Sequence, residues 1–459
     1  MAAIDSWLGR RARVLLPPRD VDTDEKAGGT RFFFIAGLLF ALTFGAGLGA
    51  LVLATKTLPA SFLGGLSPPA ARLAHGHAQV FGFVSLFVMG VALHVVPRLR
   101  GLELADPGVV RRILVLQTAG ALLAVAGGLC DLGWLNLLAG ILLVAGTTAF
   151  AQLMLGMLSR GTPTAQHLES YLRAGCLWLV VAALLAVASA TPWGASLRAP
   201  MWEAALWGFA ASWILGMSLR LLPVHLGLES LPGAVADRLW LYYQSAVVVW
   251  VVVAVLEAWI PLAASRAVAG VALAAAGGAV AFRLGRLERR EGKAAIGAAG
   301  FQGFVVASYG WLVLALALGP GAAGVMGAFG AHPPPLLADF ARHAFTLGFL
   351  TQMIMGVALR VVPIFAGARL WSARLRGTLL VVINLAVALR GLQVAVVLEY
   401  EALWPWIALS GVVAFAAFAL FTLNLVMSLR SAGAPTPGPR GSKPMPATPV
   451  SPAGRTSVP

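Results

Sequence analysis

From Phe32 onward the chain alternates between apolar runs of about twenty residues and short segments rich in Gly, Pro and Arg. Each run is long enough to cross a hydrocarbon core of ~30 Å. The runs lack two-residue alternation, so they predict helices and exclude barrel strands, the other way to satisfy backbone polar groups in lipid. The pattern predicts twelve spans near 32–54, 74–97, 113–131, 134–158, 172–191, 202–223, 239–260, 266–284, 297–319, 338–363, 378–399 and 403–428. Residues 1–30 read as a basic cytoplasmic lead-in to a membrane domain over 31–430. Residues 431–459, rich in Pro, Ser, Thr and Gly, cannot form a core and read as a disordered cytoplasmic tail.

Three spans share one internal pattern. A polar residue (His77, Glu203, His343) is followed five positions later by Gly82, Gly208 or Gly348. A second glycine comes eight residues on (Gly90, Gly216, Gly356), then His94, Arg220 or Arg360, then Pro97, Pro223 or Pro363. Such register predicts a threefold internal repeat, with blocks near 31–160, 161–290 and 291–430. The patterned span is second in each block, so all three run in the same direction. The expected fold is an all-α polytopic membrane protein whose three four-helix blocks close about a pseudo-threefold axis. Spans 2, 6 and 10 would line the interior, where glycines permit close packing and polar groups escape lipid.

Composition agrees with a membrane protein: 59% of the 459 residues are hydrophobic and 11% charged, against about a quarter charged in soluble domains. The net charge of +15 does not imply nucleic acid, because its distribution is one-sided. Arg10, Arg11, Arg13 and Arg19 precede the first span, and Arg98, Arg100, Arg111 and Arg112 follow the second. Arg283, Arg286, Arg289, Arg290 and Lys293 follow the eighth, and Arg369, Arg374 and Arg376 the tenth. The alternate loops hold little beyond Lys56, Arg72, Arg198 and Arg266. That asymmetry predicts cytoplasmic termini, with membrane lipid as a partner. Cys130 and Cys176 lack ligand spacing and read as buried free thiols.

The chemistry lies in the histidines. His75, His77 and His343 stand at the outer ends of spans 2 and 10, while His94 reads as interfacial packing and His167, His225 and His332 as solvated loop residues. Residues two apart differ by about 200° around a helix, so His75 and His77 cannot face one metal together. In a threefold ring, the facing pair between spans 10 and 2 is either His343 with His75 or Ala341 with His77. The first choice sets two imidazoles across one gap, which suits axial ligation of a haem iron. The same rule pairs His77 with Met201, a soft donor set for a second haem or for copper. Arg72, Arg342 and Arg390 are candidates to pair with haem propionates; for Arg72 and Arg342 the alternative is an interfacial anchor.

Several of these residues resemble a known family. Arg31-Phe32-Phe33-Phe34, His75-Gly76-His77 with Phe81-Gly82-Phe83, and His343-Ala344 through Gly348 to Arg360 and Gly367 are similar to the motifs of NnrS membrane proteins. The resemblance implies a fold like the haem–copper oxidase catalytic subunit, a low-spin haem b on His75 and His343, and copper in some members. It further implies a role in the response to nitric oxide and nitrosative stress. Departures from the oxygen-reducing relatives matter equally. Ala341 stands where they carry a second haem ligand, Trp202-Glu203 replace their copper ligand, and residues 239–260 contain no histidine. Without those ligands their binuclear centre cannot form. Alternative readings are a divergent oxidoreductase subunit, reducing nitric oxide or oxidising quinol with a redox partner, and a transporter.

Overall fold

The computed structural model describes residues 29–58, 67–164, 166–289 and 300–430; the basic lead-in and the Pro-rich tail lie almost wholly outside them. Among the described residues every regular element is a helix, apart from one isolated bridge between Leu228 and Arg289. Twelve helices are long and apolar enough to cross a membrane. They are α1 (Arg31–Ala54), α2 (Pro68–Leu99), α3 (Pro107–Cys130), α4 (Gly133–Leu158), α5 (His167–Ser189) and α6 (Ala195–Leu226), followed by α7 (Gly233–Leu256), α8 (Ala263–Gly285), α9 (Phe301–Ala328), α10 (Pro335–Ile364), α11 (Ala373–Val397) and α12 (Glu401–Arg430). The chain is a polytopic helical membrane protein.

Several helices begin one to two turns before the apolar run that marks them, because local capping extends them outward. Ser67 accepts a hydrogen bond from Ala70 N ahead of Pro68, and Asp106 accepts one from Val109 N ahead of Pro107. Such oxygens satisfy amide groups that a helix start leaves open, and proline's missing N–H costs nothing in the first turn. At 32 residues, α2 is ~48 Å long at 1.5 Å per residue, so its polar first turns reach beyond the hydrocarbon. At the other end Gly227 (φ +66) stops α6 in a left-handed turn.

Burial separates the helices into two sets. The apolar windows of α2, α6 and α10 are 89%, 83% and 72% buried, whereas no other exceeds 50%. The patterned helices are therefore the interior ones. Consecutive helices pack against each other, α12 returns to lie along α1, and the middles of α2 and α6 touch.

The patterned glycines are where these inner helices meet the first helix of each predicted block. A Cβ on Gly82 would sit 2.5 Å from the Phe40 ring; on Gly208, 2.5 Å from Trp178; on Gly348, 2.6 Å from Trp311. The second glycines do the same about two turns on: Gly90 against Phe33, Gly216 against Tyr171, Gly356 against Phe304. Each inner helix also carries a π-helical turn at one position in the pattern. The turns are Ala78–Val84, Ala204–Ala210 and Ala344–Thr351, starting directly after His77, Glu203 and His343.

A π turn disturbs the regular i→i+4 pairing, and buried carbonyls need donors. Two are supplied by the next helix: Gln117 Nε2 donates to Phe81 O and Tyr243 Oη to Trp207 O, both at 2.8 Å. Deeper polar links repeat as well. Trp178 Nε1 donates to Gln244 Oε1, whose amide donates to Ser212; Trp311 Nε1 donates to Asn384 Oδ1, whose amide donates to Gln352. Cys176 is buried as expected, but Cys130 is exposed, because it ends α3 on its outward face.

Candidate functional site

The two histidines of α2 go opposite ways. The His75 ring lies against α1, where a Cβ on Gly49 would come within 2.9 Å of its Nδ1. That nitrogen donates to Gly45 O at 2.9 Å. A carbonyl only accepts, so the proton resides on Nδ1 and Nε2 keeps its lone pair. Gly45 itself lies in a π turn of α1, Ala41–Gly47.

His343 repeats the arrangement on α10. Its Nδ1 donates to Asp339 O, one turn earlier, at 2.8 Å, which again leaves Nε2 as the free donor atom. The two imidazoles are near enough to interact electrostatically, and His75 also feels Asp339 and Arg390. His75, His343 and Arg390 thus lie within electrostatic reach of one another. A tethered Nδ1–H with a free Nε2 is how proteins present histidine to a metal.

Behind His343 lies a polar cluster linking α10 to α11. Asp339 Oδ2 accepts from Arg390 Nη2 at 2.6 Å and from Gln393 Nε2 at 3.0 Å, and Asp339 Oδ1 is 3.6 Å from His343 Nδ1. Arg390 Nε and Gln393 Oε1 are buried without partners, so the cluster has polar capacity unused by the protein. Arg390 was legible in the sequence as a cation within a span. Asp339 and Gln393 were not singled out, although Asp339 stands one turn before His343.

His77 faces the other neighbour. It is 8% exposed, stacks on Phe81 at 5.8 Å and meets Trp202 of α6 at 5.2 Å. Met201 is buried next to Trp202. His77 also lines a cavity of about 20 Å³ with Asn136, Ser189 and Arg198, room for a water molecule. Among the described residues no three His, Cys, Asp or Glu side chains converge as a metal site. Arg72 and Arg342 are exposed near the N-terminal ends of α2 and α10.

Glu203, the third polar opener, is committed elsewhere. It accepts from Trp250 Nε1 at 2.7 Å and lies 3.7 Å from Arg266. Arg266 stacks on the Trp250 ring at 3.4 Å and approaches Glu257 at 3.6 Å. Two carboxylates, a guanidinium and an indole satisfy one another there, so Glu203 is occupied in a structural network. His225, expected in solvent, instead ends α6 half-buried, 3.4 Å from Arg360 Nε and edge-on to Phe301. His94 is buried in α2, and His332 is exposed as expected.

These observations define a class: a helical membrane protein with two carbonyl-tethered, half-buried imidazoles on its inner helices α2 and α10. The family model for NnrS protein matches residues 27–432, and the chain belongs to the NnrS family. No curated protein matches it.

Proposed function

We propose that this NnrS-family chain is a haem-binding membrane protein of the bacterial inner membrane. Its termini are cytoplasmic, and it acts in the response to nitric oxide and nitrosative stress. His75 and His343 would hold a haem b iron through Nε2, and Arg390, with its unpartnered Nε, would meet a propionate. The observation that carries this reading is the matched tethering of the two imidazoles, Nδ1 to a carbonyl in each. It applies to two of the inner helices and to neither His77 nor Glu203. A haem iron held by these two imidazoles would supply one-electron transfer.

The chain's own residues do the rest. Gly45 and Asp339 orient the rings. Gly49 makes room for His75. The arrangement as three four-helix blocks of the haem–copper oxidase type belongs to the same proposal. It is supported by in-register π turns, recurrent glycine–aromatic packing and the return of α12 to α1. Copper at His77 and Met201 has no comparable support, since among the described residues no group of three His, Cys, Asp or Glu forms there.

The test is a reduced-minus-oxidised visible spectrum of the detergent-purified protein beside His75→Ala, His343→Ala and His77→Ala. A b-type spectrum abolished in the first two variants and kept in the third is the expected result. Wild-type protein without haem, after expression with ample haem supply, would overturn the reading.

A further inference from the structure

We infer that Asp339 is the positioning residue for the centre, acting on the iron through His343 rather than by contact. The inference rests on the haem reading above. Asp339 touches His343 in two ways. Its carbonyl accepts the Nδ1 proton at 2.8 Å, and its carboxylate approaches the same nitrogen at 3.6 Å. A carboxylate beside a ligand's N–H makes the imidazole a stronger donor, which favours the ferric over the ferrous state.

The carboxylate is itself held. Arg390 and Gln393 of α11 both donate to Oδ2, which leaves Oδ1 on the imidazole side. Arg390 is 10% exposed at its side chain, and its charge is counterbalanced by Asp339. Removing either partner therefore leaves the other as an uncompensated charge near the iron site. The two groups bias the centre in opposite senses: Asp339 lowers the midpoint potential and Arg390 raises it. His75 Nδ1 donates instead to a main-chain carbonyl of α1, and Asp339 and Arg390 reach it only through space. The two histidines are thus held differently, and α11 is linked through Asp339 most directly to His343.

The experiment is a potentiometric titration of the haem in the full-length purified protein, with Asp339→Asn and Arg390→Gln. Asn keeps the shape, the main-chain carbonyl and an oxygen for Arg390 and Gln393, but loses the charge. A unit charge at this range weights the ferric-to-ferrous balance by about tenfold, which is ~59 mV for one electron. Asp339→Asn should raise the midpoint by about that amount with haem content retained, and Arg390→Gln should lower it. Each variant decides independently, so failure of one to fold leaves the other. A potential unchanged in either variant, or both moving the same way, overturns the inference; a merely structural role predicts haem loss without opposite shifts. Wild-type protein without haem would defeat the haem reading itself, whereas haem with unmoved potentials would defeat only the role of Asp339.

Discussion

Alanine at Gly82, Gly208 or Gly348 should destabilise the protein to a similar extent at all three sites. The new Cβ would stand 2.5–2.6 Å from the ring root of Phe40, Trp178 or Trp311. An ordinary contact begins near 3.4 Å, so each aromatic side chain must retreat by nearly an ångström. Those atoms belong to the stiff part of the side chain, and the helices behind them are packed, so relaxation is limited. Overpacking of this kind costs about 1–3 kcal/mol. Gly278, Gly310 and Gly377 are the matched controls: a Cβ there meets nothing within 4 Å. Alanine at those positions should be neutral or stabilise by about 0.5–1 kcal/mol, because glycine is the weaker helix former. The assay is unfolding in mixed micelles followed by intrinsic fluorescence. If Gly208→Ala proved as stable as Gly278→Ala, close interhelical contact would not explain the repeated glycines.

Two further outcomes follow from other features of the structure. Tyr243→Phe strips the donor from Trp207 O in the π turn of α6 while keeping the ring. It should cost about 1–3 kcal/mol, measured by the same unfolding assay, and a stability equal to wild type would mean that the carbonyl needs no partner. Cys130 ends α3 exposed and Cys176 is buried; with cytoplasmic termini, α3 ends on the outer side. A membrane-impermeant maleimide added to spheroplasts should label the wild-type chain and spare Cys130→Ser. Labelling only in inverted vesicles would reverse the orientation.

Much of the candidate site was legible because its signals are local. The position of His75 and His77 on opposite faces depends on two residues of helix, and both precede the π turn of α2. Their phase is therefore that of an ordinary α-helix, and a straight-helix argument sends them different ways, as they go here, His75 against α1 and His77 against Trp202 of α6. Beyond the turns that argument loses its footing. A π turn inserts one extra residue and shifts everything after it by about 100° around the axis. Gln117 and Tyr243, the side chains that serve the turns, lie 126 residues apart, the same offset as His77 and Glu203. The repeat held that signal, but only the turns explain why those two positions are polar.

The sequence by itself determined the twelve spans, the three patterned helices and their burial. Hydrophobic run length and glycine spacing are one-dimensional properties, and lipid leaves few ways to satisfy them. Tertiary structure decided which nitrogen of His75 and His343 is free, because Gly45 lies on another helix and Asp339 reaches back along its own. It also decided that Asp339, Arg390 and Gln393 act together, that Glu203 is bound to Trp250 and Arg266, and that Cys130 is exposed. Each of these depends on how neighbouring helices are rotated and offset along their axes. Hydrogen bonds sense such displacements at the scale of tenths of an ångström, whereas a hydrophobic pattern fixes them only to about a helix turn.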